Sequence, residues 1–257
     1  MIADKLTVPY KIIIPARYAS TRLPVKPLIE IGGKPLLQHV YESAARSRAT
    51  SVIIATDAEN IRAVSSEFCM QVYMTSDTHQ SGTERLIEVV MNLKEPDDSI
   101  IVNLQGDEFQ IPPEIIDQVA ELLMRHPDAE MATLCEPITD IADYQNHNIV
   151  KVVFDHNHFA LDFSREPIQW YGNGPIPDAG IYGYRHIGIY AYRAGFLKHY
   201  QKLEPCERER RERLEQLRVL EHGHHIYVDI AKKHPGIGID TPEDLERARK
   251  VESLKTS

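Results

Sequence analysis

Tryptophan occurs once in 257 residues and cysteine three times, at Cys69, Cys135 and Cys206. Cysteines this few, odd in number and far apart make no disulfide framework, and they fit a reducing cytoplasm. No apolar run has the length needed to cross a bilayer. The first residues, MIADKLTVPYK, hold no apolar signal core, so neither a membrane span nor export is expected. Positive charge is also scarce: 29 Lys and Arg stand against 38 Asp and Glu, a net charge of −9. That balance speaks against nucleic acid held by bulk electrostatics, and any phosphate site must gather its cations locally. The Walker pattern is missing as well. Gly32-Gly33-Lys34 is followed by Pro35 and lacks the first glycine at the required spacing, which argues against a P-loop fold. There is no internal repeat, linker or low-complexity stretch, so one compact domain with an embedded subregion is expected.

What is present is an alternation of short apolar runs and amphipathic segments. Ile12-Ile13-Ile14 reads as a buried first strand, residues 35–47 as a helix, 51–57 as a strand, 58–68 as a helix and 71–75 as a third strand. This β-α-β-α-β order implies a parallel sheet with helices on both faces. The first strand empties into a loop carrying Arg17, Arg22 and Lys26 with Ser20 and Thr21. At the carboxyl edge of such a sheet, three cations can neutralise a polyphosphate and follow the charge building on a leaving pyrophosphate. The alternative is a solvated surface loop.

Two further stretches carry chemistry. In Gln80-Ser81-Gly82-Thr83-Glu84-Arg85, Ser81 or Thr83 can cap a helix over about 83–93. The small residues with Gln80 and Arg85 suit recognition of a planar base, while a capped surface loop is the plainer reading. The strand Ile100-Ile101-Val102 ends in Gln105-Gly106-Asp107-Glu108, a natural seat for Mg²⁺, which takes one or two protein carboxylates and fills the rest with phosphate oxygens and water. Asp107 can equally serve as a turn residue before the helix that Pro112-Pro113-Glu114 starts. From Met131 the pattern turns to successive strands and a Gly-, Pro- and Tyr-rich excursion over 170–184, flanked by Arg165 and His186, which can both face a sugar acid. Residues 204–222 read as one charged helix with Leu214, Leu217 and Leu220 buried, beside which Glu215 and Gln216 are ambiguous. His222, His224 and His225 have no partners at zinc-site spacing. Thr241 can cap a last helix with Pro242 at its first position, and Asp240, just before it, is structural or a second metal ligand.

Taken in order, IIIPARYASTRLPVKPL, THQSGTERL, NLQGDEF, FSR, RHIGIYAYR, LEQLRVLEHG and GIGIDTPEDLER closely resemble the 3-deoxy-manno-octulosonate (Kdo) cytidylyltransferases over about residues 10–250. The resemblance implies a mononucleotide-binding, Rossmann-like α/β fold: a mostly parallel sheet with helices on both faces and a mixed-strand extension shaping a sugar pocket and dimer contact. It divides the domain into a nucleotide-binding part (about 10–130), a sugar-binding and dimerisation part (about 131–200) and a C-terminal part returning to the active site (about 201–250). It implies a homodimer in the bacterial cytoplasm that needs Mg²⁺ and uses CTP to activate Kdo for lipopolysaccharide synthesis. By the same resemblance Pro15, Ala16, Arg17, Ser20, Arg22, Lys26, Ser81, Gly82, Arg85, Gly106 and Asp107 hold the nucleotide. Gln105, Arg165, His186, Glu215 and Gln216 line the sugar-acid pocket, with Arg165 opposite the carboxylate. Arg17, Lys26, Asp107 and Asp240 are the catalytic set, and the two aspartates are the metal ligands. Another acidic sugar (8-amino-Kdo or sialic acid), a glycosyltransferase and a non-catalytic CTP-binding homologue are the competing readings. Three positions depart from the family pattern: Val25 replaces a glycine, Phe109 a proline, and Asp162 an aromatic residue.

Overall fold

The computed structural model describes residues 9–18, 23–168 and 178–254. Ser20, Arg22 and most of the 170–184 excursion lie outside them. The apolar runs form the strands of a nine-stranded sheet. Its first half is β1 (Tyr10–Ala16), β2 (Ser51–Thr56), β3 (Val72–Met74) and β4 (Ile100–Asn103), all paired parallel. Both faces of β1 are covered, as its continuous apolar pattern requires. Ile12 and Ile14 pack into one core cluster and Ile13 into another across the sheet.

The chain runs from β1 outward to β2 and β3, then crosses back so that β4 pairs on the other side of β1. The strand order reverses between β1 and β4, and the crevice beyond their carboxyl ends is where ligands of such sheets bind. Helices α1 (Leu36–Ala45), α2 (Glu59–Ser65) and α3 (Gly82–Asn92) make the crossovers, and α4 (Pro113–Arg125) follows β4.

The mixed half comprises β5 (Met131–Ile138), β6 (Lys151–Phe154), β7 (Ala160–Ser164), β8 (Gly183–Arg193) and β9 (Ile226–Ile230). The long β8 runs antiparallel to β4, β5 and β6, while β9 joins β5 in parallel. A short helix α5 (Ile141–Gln145) follows β5, and α6 (Ala194–Tyr200) follows β8.

The expected single helix over 204–222 is instead two, α7 (Glu207–Glu212) and α8 (Gln216–Glu221). Arg213 between them is left-handed, at φ 56° and ψ 48°, and its N–H bonds back to Glu209 O at 2.7 Å. An i→i−4 bond followed by a left-handed residue is a helix stop usually made by glycine. Leu214 and Leu217 stay buried because the corner redirects the second helix onto the core. The last helix, α9 (Pro242–Ser253), is capped as read: Thr241 and Asp244 form a reciprocal capping box.

Candidate active site

The carboxyl ends of β1 and β4 open into a cavity of about 390 Å³. Gly106 closes its floor, for a Cβ there would stand 2.9 Å from Pro15 O. Asp240 reaches this edge from far along the chain by a two-residue ladder in which Ile237 and Gly238 pair with Phe109 and Glu108. Ile239 N–H then donates to Asp107 O at 3.0 Å. Phe109, fully buried and edge-on to His39, seals the underside of this junction.

Lys26 joins the two acids. Its Nζ lies 2.5 Å from Asp107 Oδ2, 3.1 Å from Asp240 Oδ1 and 2.9 Å from Ile239 O. Burial works to lower the ammonium's pKa, but the two carboxylates outweigh it and hold it above its ordinary value. Two carboxylates thus converge within reach of one cation, a donor set suited to Mg²⁺ completed by phosphate and water. Among the described residues no three His, Cys, Asp or Glu side chains are grouped to hold a metal unaided. Neighbouring Glu108 is half-buried, and burial, with Asp107 beside it, pushes its carboxyl up to about 7.

The residue before Lys26 is Val25, at φ 50° and ψ 38°. Val25 thus stands at a position of positive φ, where a glycine would be unstrained and a β-branched side chain is a backbone outlier.

On the second wall, Ser81 caps α3 by accepting from Glu84 N–H at 3.2 Å, and it also lines the cavity. Arg85 lines it too, but its guanidinium is anchored: it donates to Asp57 at 2.8 Å and to the Thr75 hydroxyl. Glu215 receives hydrogen bonds from Thr83 and Ser81, which oppose the upward push of burial on its carboxyl. Gln216 is buried, with its Nε2 unpartnered. A buried amide donor without an acceptor is costly unless a ligand supplies one.

Pro15, Ala16, Arg17, Lys26, Ser81, Gly82, Arg85, Gln105, Gly106, Asp107, Glu215, Gln216 and Asp240 therefore come together at one cavity. Arg165 and His186 are not in its lining. Arg165 turns two of its five N–H donors to backbone oxygens, Nε to Glu212 O at 2.8 Å and Nη1 to His147 O at 3.3 Å. His186 sits against Thr133 Oγ1 at 3.0 Å, and burial pushes its imidazole down to about 3. Asp162 is ion-paired to Arg208 at 2.5 Å, away from the lining, so its charge is met locally. The sequence reading missed Asn103, Tyr190, Tyr192 and Arg213, which line the cavity. The two tyrosines alternate along β8 and Asn103 ends β4, a signal that period and position did offer. Arg213 offered none.

Residues 11–230 match a family model described as Cytidylyltransferase. The chain belongs to the cytidylyltransferase family. It is 51% identical to the 3-deoxy-manno-octulosonate cytidylyltransferase of Pseudoalteromonas atlantica over 251 residues, covering 96% of this chain and 99% of that one. To the enzyme of that name from Histophilus somni it is 49% identical, with 94% and 98% covered. The solved structure of CMP:2-keto-3-deoxy-manno-octonic acid synthetase complexed with CTP superposes with a TM-score of 0.86 at 39% identity, covering 96% of this chain and all of that one. A 4-diphosphocytidyl-2C-methyl-D-erythritol synthase at 17% identity and a TM-score of 0.62 shares the fold. This cytidylyltransferase is a nucleotidyltransferase with an α/β sheet of the same architecture.

Proposed function

We propose that this chain transfers CMP from CTP to the anomeric hydroxyl of Kdo, forming CMP-Kdo for lipopolysaccharide synthesis. The sugar oxygen bonds to the α-phosphorus as the bond to the pyrophosphate oxygen breaks, and the hydroxyl proton leaves to solvent. The observation that carries this reading is the convergence of Arg17, Lys26, Asp107 and Asp240 at the strand-order reversal, in a chain half identical to enzymes of that name.

Each residue then has a task. Arg17 and Lys26 hold the triphosphate and offset the negative charge developing on pyrophosphate. Ser20 and Arg22 belong to the same loop and join them in this proposal. The α3 N-terminus at Ser81 and Gly82 lies along the nucleotide, and Arg85 holds the base-reading loop through Asp57 and Thr75. Asp107 and Asp240 would hold Mg²⁺, which when bound polarises the phosphates. Gln105, Glu215 and Gln216 face the sugar. Arg165 and His186 act from behind this wall. Placement and charge neutralisation supply most of the rate.

The reaction belongs to the cytoplasm, where CTP is made, and no described helix is long and apolar enough to cross a membrane. A homodimer fits a sheet whose edge strand β7 carries Leu161, 49% exposed. Light scattering on the eluting protein tests that part. The function is tested by ³¹P NMR of a mixture with CTP, Mg²⁺ and Kdo. A new phosphodiester signal equal in amount to pyrophosphate is expected; pyrophosphate without that signal overturns the transfer.

A further inference from the structure

Four described cations line the cavity: Arg17, Lys26, Arg85 and Arg213. Lys26 is tied to Asp107 and Asp240, and Arg85 to Asp57. Arg17 follows the last residue of β1, Ala16, at the strand's carboxyl end. Arg213 is on the other wall, with Glu215 and Gln216, and among the described residues its guanidinium has no ion pair or hydrogen bond.

Its backbone adds a second observation. Glycine or asparagine would reach φ 56° at less cost, yet this chain places an arginine there, beside the cavity. Strain kept at a site needs surroundings that over-determine it, and these do. Glu209 and Arg218 form a two-bond ion pair, at 2.8 and 2.5 Å, that clamps α7 to α8. The Arg218 guanidinium also lies 4.7 Å from the centre of the Tyr200 ring. From behind, Arg165 Nε donates to Glu212 O, the residue just before the corner. A third observation is the unpartnered Nε2 of Gln216, which leaves this wall one hydrogen-bond acceptor short.

We infer that Arg213 is a specificity residue that receives the carboxylate of the acidic sugar, and that Arg165 is the positioning residue holding its corner. The inference rests on the reading that the second substrate is a sugar acid. A guanidinium offers a carboxylate two parallel donors, and an anionic substrate entering an acidic protein needs one uncommitted cation on its own wall. Arg17 and Lys26 are committed to the triphosphate, which leaves Arg213.

The test compares wild type with Arg213→Gln and Arg213→Lys, using Kdo and Kdo carboxamide. Arg213→Gln should raise the KM for Kdo by about 10- to 100-fold, the range of a lost charged hydrogen bond. Its kcat and its KM for CTP should stay near wild type, and Arg213→Lys should recover part of the loss. Wild type should prefer Kdo to its carboxamide, and Arg213→Gln should lose that preference. A raised KM for CTP, an unchanged KM for Kdo, or an intact preference in Arg213→Gln overturns the inference. Calorimetric titration of Kdo into the CTP complex separates this from the proposed reaction. Kdo binding that weakens in Arg213→Gln, in a protein without turnover, upholds Arg213 and overturns the reaction. Absence of Kdo binding to wild type overturns both.

Discussion

Replacing Val25 with glycine should make this protein more stable. At φ 50° and ψ 38° the valine sits where its Cβ crowds the following carbonyl, which costs roughly 1–2 kcal/mol for an L-residue and more for a β-branched one. The surroundings hold it there: Leu28 N–H donates to Val25 O at 2.9 Å, and the next residue, Lys26, is fastened to Asp107 and Asp240. Glycine removes the crowding but adds freedom to the unfolded chain, at about 0.4–1 kcal/mol. The half-buried valine side chain gives up little packing. The net gain is about 0.5–1.5 kcal/mol, or roughly 1–5 °C in Tm for a chain of this size. Urea unfolding of Val25→Gly beside Val25→Ala reads it directly. Alanine keeps the positive φ and should gain less than glycine. The kcat/KM for CTP should hold or rise in the glycine variant. A Val25→Gly protein less stable than wild type would refute the strain argument.

Three other outcomes follow from the same geometry. Asp107→Asn should lower turnover by at least about 100-fold while the Tm moves little, because Lys26 keeps Asp240 and Ile239 O; full activity would remove Asp107 from the metal site. Gly236→Ala should destabilise by about 1–3 kcal/mol or more, since the new Cβ would stand 2.1 Å from Phe109 O, and it should weaken Mg²⁺ dependence by displacing Asp240. The imidazole of His186 refuses a proton until about pH 3, whereas the unfolded chain accepts it near 6.5. Stability is then lost as pH falls below about 6.5, by up to about 1.4 kcal/mol per unit, and His186→Asn should remove that slope. Parallel stability curves for the two proteins would sink this account.

What could be read from the sequence was what a local pattern can carry. Ile12-Ile13-Ile14 and the run 51–56 announce buried strands because parallel strands covered on both faces need continuous apolar residues. Thr241 and Pro242 announce a helix start for equally local reasons. The left-handed Val25 was foreseeable only through the resemblance, which put a glycine there. The break at Arg213 was not foreseeable, since ERERRERLEQL contains no glycine, proline or asparagine, and the tertiary clamp of Glu209 on Arg218 imposes the corner. The same holds for Arg165: its charge suggested a substrate, and only the folded chain turns its Nε and Nη1 to Glu212 O and His147 O. Lys26 meets two aspartates 81 and 214 positions away, a contact that topology makes and no window displays.

The central claim, that CTP and a Kdo hydroxyl meet at this cavity, is tested most directly by Mg²⁺-dependent pyrophosphate release measured across a matrix of nucleotides and sugars. CTP with Kdo should release pyrophosphate, while ATP or UTP with Kdo, and CTP with sialic acid or with no sugar, should stay at background. Release with ATP or UTP in place of CTP, or silence with CTP and Kdo together, would contradict it.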